Sequence, residues 1–234
     1  MSGGGLTELL ARLRQAASAG DGLHTASPAT LALLLGLDSL TLSMASAPDG
    51  LELLWADPAD KLGRTMEDLQ YTLGEGPTVE AARTGRTVSV PDVSAASARW
   101  VALGSDTAHT AARAAIATPL RCGPLTAGVL TGYHTTPTSF SPEWTHGFHA
   151  VARVALRLLV QTPPNSMDAL APRPSPVDLH RAEVHQAIGF LSVQLRVPVE
   201  EAMLRLRTHA WRHGRPLREV ADDILTGRLS LHPN

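Results

Sequence analysis

Ten histidines, a single cysteine and a pair of closely spaced glycines are the residues of this 234-residue chain that invite chemistry first. His146 and His149, and again His209 and His213, are spaced to share one helix face, as metal ligands often are. Two imidazoles alone make a weak site, and arginines surround the second pair, so ordinary surface histidines and no metal are expected. Cys122 has no partner for a disulfide and cannot build a zinc or iron–sulfur site by itself. Gly74-Glu75-Gly76 lacks the third glycine and the strand-to-helix setting of a dinucleotide loop; it reads as a tight turn with Pro77 opening a helix. No Gly-x-Ser-x-Gly elbow, Walker loop or His-Glu-x-x-His motif is present, so neither an enzyme nor a cofactor is expected.

The arginines remain. From Leu179 to Asn234 there are eight, against six carboxylates, whereas the preceding residues carry a net charge of -4. That asymmetry suggests an acidic module joined to a mildly basic one that meets an anionic partner. A charge of +2 is modest beside the footprint of a tight nucleic-acid binder. The apolar stretches are far shorter than the ~20 residues of a membrane span. The start of the chain shows no basic-then-apolar leader, so a cytoplasmic protein is expected.

Several elements must position these groups. Five prolines between residues 161 and 177 rule out a continuous helix and mark a semi-rigid linker. The expected organisation is a domain over 1–160, a linker over 161–177 and a helical module over 178–230. In the first domain, Leu6, Leu9, Leu10, Leu13 and Ala17 keep a helical period, as do Leu31, Leu34 and Leu35. Leu40 to Met44 alternates like a half-buried strand, and Leu51 to Trp55 returns after the Pro48-Asp49-Gly50 turn. Val88 to Val90, Ala115 to Arg121 and Ala127 to Tyr133 read as further strands. Ser141-Pro142-Glu143 starts a helix whose seam of Trp144, Phe148, Val151, Ala155 and Leu158 would face either the sheet or a second subunit.

In the tail, Val184, Ala187, Ile188, Leu191 and Leu195 make one apolar stripe, after an N-cap at Asp178. Val199, Ala202, Met203, Leu206 and Ala210 make a second. Leu217, Val220, Ala221, Ile224 and Leu225, opened by Pro216, make a third, with Gly214 and Gly227 placed as helix stops. Three helices too short to stand alone predict a three-helix bundle.

Two resemblances follow from the residues. Leu73-Gly-Glu-Gly-Pro77, Thr84-Gly-Arg86, Val90-Pro-Asp92, Arg99-Trp100, Ile116-Ala-Thr-Pro-Leu120 and Gly128-Val-Leu130 resemble, in that order, the GAF domains of actinobacterial regulators. The resemblance implies a PAS-like antiparallel sheet flanked by helices, with an unknown small-molecule ligand possible. The Asn-Lys-Phe-Asp-Glu signature of cyclic-nucleotide-binding members is absent. Cys122 sits at a turn without the motif of a tetrapyrrole-bearing cysteine, and is expected to be a semi-buried structural thiol.

Arg181-x-x-Val184-x-Gln186-Ala187-Ile188-Gly189, Val199-Glu-Glu-Ala202, Leu206-Arg-Thr-His-Ala210 and Arg215-Pro-Leu-Arg-Glu-Val-Ala221 closely resemble the ANTAR domain. The fold class is then α+β: a GAF-like sheet domain followed by an all-α ANTAR bundle. The resemblance implies a transcription antiterminator that acts as a homodimer and grips tandem RNA hairpins. RNA contacts are expected from Arg181, Gln186, Gly189, Arg205, Arg212, Arg215 and Arg218. Ile188 replaces the family's usual lysine at what reads as the edge of the core stripe, which would weaken or redirect RNA binding. Trp211, Leu204, Phe190 and Val193 lie off the stripe, open to an RNA base or a partner helix. Alternative readings are a sensor or dimerising adaptor with a degenerate tail, and a helix-turn-helix on duplex DNA.

Overall fold

The computed structural model describes residues 3–46, 50–96, 98–106, 110–163, 176–215 and 217–231. Its described residues divide into two compact units, one formed by those up to residue 163 and one by those from residue 176.

The first unit is built on five antiparallel strands in the order β2-β1-β5-β4-β3. They are β1 (Ser39–Ser46), β2 (Gly50–Trp55), β3 (Val88–Val90), β4 (Ala114–Cys122) and β5 (Leu125–His134). Leu130 of β5 pairs with Leu42 on one side and Thr118 on the other. The helices are α1 (Gly3–Ser18), α2 (Pro28–Leu35), α3 (Lys61–Leu73), α4 (Pro77–Thr84), α5 (Val101–Asp106) and α6 (Pro142–Gln161).

Strand periodicity divides the core in two. Leu40, Leu42, Ile116, Leu120 and Leu130 pack with α1, α2 and α6; Ala115, Ala117, Val129 and Tyr133 pack with residues of α3, α4 and α5. The close packing of β5 on its neighbours needs glycine twice. A Cβ at Gly128 would lie 2.5 Å from the Ser43 carbonyl, and one at Gly132 would lie 2.6 Å from Leu37. Residues far apart in sequence close the unit: the Leu23 amide donates to Thr162 Oγ1 at 2.8 Å, just past the end of α6.

Two expectations change here, and one of two open alternatives holds. The alternation in β1 does not mark a strand with a wet face, because Thr41 and Ser43 are as buried as Leu40 and Leu42. Helix α3 lies over that face and supplies polar partners. The seam of α6 is spent inside the unit: Phe148, Val151, Ala155 and Leu158 are buried in the core shared with the sheet and α1. Trp144 stacks on Phe148 with centroids 5.3 Å apart and donates Nε1–H to the Leu35 carbonyl. A second subunit cannot use that seam without opening the domain. The helix start itself is as read, since Ser141 Oγ accepts from the Trp144 amide with Pro142 at the first helical position. Cys122, expected semi-buried, is exposed at the end of β4.

The second unit holds α7 (Pro176–Leu195), α8 (Val199–Arg212) and α9 (Leu217–Leu225). Its core is Val184, Ala187, Ile188, Leu191 and Leu195 from α7, Ala202, Leu206 and Ala210 from α8, and Leu217, Val220, Ala221 and Ile224 from α9. Val199 and Leu225, read as core, are exposed at helix ends. Helix α7 starts at Pro176, so Asp178 lies inside its first turn and is not the N-cap. Proline suits that first turn, where its missing N–H has no acceptor to lose. Arg196, the one non-glycine residue with positive φ among those described, ends α7; Gly214 and Gly227, also at positive φ, end α8 and α9. Pro216 and residues 164–175 of the expected linker lie outside the described residues.

Candidate nucleic-acid interface and a buried polar cluster

On α7, the expected contact residues Gln186 and Gly189 are both exposed. A Cβ at Gly189 would meet nothing within 4 Å, so packing inside the unit does not require glycine there. Phe190, 51% exposed, and Val193, 81% exposed, stand on the same outer face, three and four residues from these positions or from each other. Ile188, in contrast, is only 4% exposed. It sits within the core and not at its rim, because all three helices converge on that side of α7.

The five expected arginines differ in availability. Arg205 Nη2 lies 2.6 Å from Glu201 Oε1 one turn back on α8, while its Nη1 is buried without a hydrogen-bond partner among the described residues. Arg212 is exposed in the last turn of α8. Arg215 follows that helix and pairs with Asp223 Oδ2 at 2.6 Å. The backbones of Arg181 and Arg218 belong to α7 and α9, and their side chains lie outside the described residues. Arg228, which the sequence did not single out, joins the same group by pairing with Asp222 and Asp223. Hydrogen bonds from Arg215 and then Arg228 hold the Asp223 carboxyl below its usual range.

Trp211 is 68% exposed, as is Leu204 at 63%, one face of α8 presenting both. His209 and His213 stack with centroids 4.1 Å apart. His213 Nδ1 lies 2.8 Å from the His209 carbonyl, which can only accept, so that nitrogen carries the proton. Partial burial, then His213 and Arg215, push the His209 imidazole below its usual range. No group of three potential metal ligands occurs among the described residues.

The first unit holds a cluster that sequence reading missed. Glu67 on α3 is buried, and its Oε1 accepts from Tyr133 OH at 2.7 Å and Thr41 Oγ1 at 2.8 Å. Its Oε2 accepts from Ser43 Oγ at 3.0 Å. Gln70, one turn along α3, donates to Tyr133 OH and Thr78 Oγ1 and accepts from the Thr78 amide. Burial first, and the Glu67 carboxyl second, push the Tyr133 hydroxyl well above its usual range. Glu67 and Gln70 at i and i+3, opposite Thr41, Ser43, Thr131 and Tyr133 on alternate strand positions, were the available signal. The glycine pair serves this cluster. Gly74 ends α3 in the left-handed region, and a Cβ at Gly76 would lie 2.5 Å from Gln70 Oε1 before Pro77 opens α4. Thus the motif is a turn, as expected. On the opposite side of the sheet, an apolar cavity bordered by Leu13, Leu23, Trp55 and Val151 holds about 10 Å³, at the threshold for a single water.

The profile of the GAF domain matches residues 28–161, and that of the ANTAR domain matches residues 179–225. The GAF domain of the Acinetobacter phosphoenolpyruvate-protein phosphotransferase is 14% identical with a TM-score of 0.50, covering 68% of this chain and 95% of that one. Its counterpart from Coxiella burnetii is 13% identical with a TM-score of 0.51, covering 68% and 95%. The phycocyanobilin-bound GAF domain of a cyanobacterial phytochrome is 13% identical with a TM-score of 0.51, covering 67% and 93%. At such identities the likeness establishes the fold. No curated protein matches the chain. No helix among the described residues is long and apolar enough to cross a membrane. By the extent of the first match the chain belongs to the GAF family, and an ANTAR domain follows its GAF domain.

Proposed function

We propose that the protein is a signal-responsive transcription antiterminator: its GAF domain senses, and its ANTAR bundle binds hairpin RNA in nascent transcripts. The observation that carries this reading is the ANTAR match over a folded three-helix bundle whose Gln186, Gly189 and Arg212 stand uncovered. Arg181, Gln186, Gly189, Arg205, Arg212, Arg215 and Arg218 are assigned to the RNA, the arginines to phosphate. In this reading the protein works in the cytoplasm, assigns its residues to binding rather than to a reaction, and acts as a homodimer on two hairpins. Joining two weak sites raises affinity through effective concentration. The signal would bias one dimer arrangement by binding it better than the other.

Sequencing of RNA that co-purifies with the native protein tests this, followed by competition between tandem hairpin RNA and duplex DNA of equal length. Hairpin enrichment and a log–log salt slope on the order of -2 to -4 are expected for few phosphate contacts. Equal affinity for the DNA would overturn the reading. A second reading, a sensor or adaptor with a degenerate tail, draws on two observations. Ile188 fills a core position where the family usually has lysine, and both Arg205 and Arg215 are occupied by carboxylates. It predicts a protein that dimerises and enriches no RNA.

A further inference from the structure

The carboxylates around α9 form an arrangement that the RNA reading does not explain. Arg215 places Nη2 2.6 Å from Asp223 Oδ2 and Nε 3.8 Å from Glu219 Oε2. Arg228 places Nε 2.6 Å from the other oxygen, Asp223 Oδ1, and reaches Asp222 through Nη2. One carboxylate therefore holds a guanidinium on each oxygen. Glu219, Asp222 and Asp223 together outnumber the two arginines, so the cluster carries a net negative charge. These residues lie in α9, in the turn before it and in the segment after it, so the cluster is formed by that helix and its two flanks.

A phosphate that approaches Arg215 meets a guanidinium already engaged by Asp223, against the repulsion of three carboxylates. The same holds at Arg228. Non-specific binding to nucleic acid comes almost wholly from such phosphate contacts, so covering two of them removes affinity that carries no sequence information. We infer that Asp223, assisted by Asp222, masks Arg215 and Arg228 from polyanions at large, so that Arg215 is given up to phosphate only for an RNA that also contacts the bundle well elsewhere. The functional meaning rests on the RNA reading above; the masking itself does not. Specificity gained by weakening the wrong complex is a general device.

The test uses the full chain and four variants. Asp223→Asn removes the one charge that both arginines share. Glu200→Gln removes one charge from an exposed position of the same unit that is in none of these pairs. Asp223→Asn with Arg215→Ala removes one of the two arginines as well. Asp222→Asn loosens Arg228 alone. On a heparin column, Asp223→Asn is expected to elute at clearly higher salt than Glu200→Gln, Asp222→Asn in between, and the double variant back toward the wild type. With a random-sequence 20-base-pair RNA duplex, Asp223→Asn should bind roughly threefold to tenfold tighter, with a salt slope steeper by about 1 to 2. Its preference for a two-stem-loop RNA over that duplex should narrow. Exposed ion pairs add little to folding, so circular dichroism of all variants should match the wild type. Co-elution of Asp223→Asn with Glu200→Gln would overturn the mask; should Asp223→Asn not fold, co-elution of Asp222→Asn with Glu200→Gln overturns it equally. A wild type with no hairpin preference counts against the RNA reading alone, because the heparin comparison still decides the mask.

Discussion

Tyr133 of β5 donates its hydroxyl to Glu67 of α3 at 2.7 Å, joining the sheet to the helix above it through a wholly buried contact. Gln70 and Thr78 complete its surroundings, so the sheet face under α3 and α4 is polar at its centre and apolar around it.

Removing that hydroxyl should therefore be costly. Tyr133→Phe leaves a donor missing at Glu67 and one Gln70 N–H without its acceptor, and should destabilise the first domain by about 1–3 kcal/mol. Because the folded-state pKa of Tyr133 is raised, the tyrosine contributes no penalty below the ordinary value of 10.0. Stability is lost as pH rises above it, where the unfolded chain ionises and the folded one resists. Urea melts between pH 8 and 11 should show this loss in the wild type and a smaller one in Tyr133→Phe. Identical pH dependence in both would remove Tyr133 as its source.

Substitution on α6 gives a second outcome. Glutamate at both Phe148 and Val151 would place two charges where the native side chains are 0% and 1% exposed. Each unpaired buried charge costs several kcal/mol, against total domain stabilities of about 5–15 kcal/mol. The first domain should lose its cooperative melt altogether. A folded double variant would show that the seam is accessible and return it to consideration as a subunit contact.

Ile188→Lys should destabilise the bundle by about 2–3 kcal/mol, because the buried side chain loses its apolar contacts even if the ammonium reaches solvent. Ile188→Met, of similar volume, should cost less than about 1.5 kcal/mol. Thermal melts of the second unit followed by protease sensitivity would rank the three proteins. An unchanged melt for the lysine variant, with tighter hairpin binding, would place position 188 at the rim after all.

Trp211→Ala tests the exposed face of α8. The side chain is largely exposed, so the bundle should melt nearly as before. If a loop base stacks on the indole, hairpin affinity should fall by about 1–3 kcal/mol, roughly five- to 150-fold. Unchanged affinity together with a shifted sedimentation profile would assign Trp211 to a protein contact instead.

Features set by neighbours in sequence were the most legible. Helical periods at Leu6 to Ala17, the Ser141-Pro142 start and the Gly74-Glu75-Gly76 turn each follow from a few consecutive residues. Polar partners across space were not. Thr41 and Ser43 alternate with leucines in the same way whether water or Glu67 faces them. Which it is depends on α3, twenty or more residues away. Likewise, Arg215 reads as an open cation, and Arg228 as unremarkable, until α9 brings Asp223 between them. Ile188 was placed near the stripe by its angle on one helix, but its burial depends on how all three helices converge.

The bond from the Leu23 amide to Thr162 spans 139 residues. Helix α1 packs on α6 at the same end of the domain. During synthesis this domain cannot close until its last helix has been made. At about 5–20 residues per second, 139 residues take roughly 7–28 s, during which the apolar faces of α1 and the early strands wait uncovered. Protease protection of ribosome-stalled chains should accordingly appear only once Thr162 has emerged, and protection in shorter chains would show an earlier closure. The GAF domain is thus expected to close only after its last helix is made, its early strands staying uncovered for that interval.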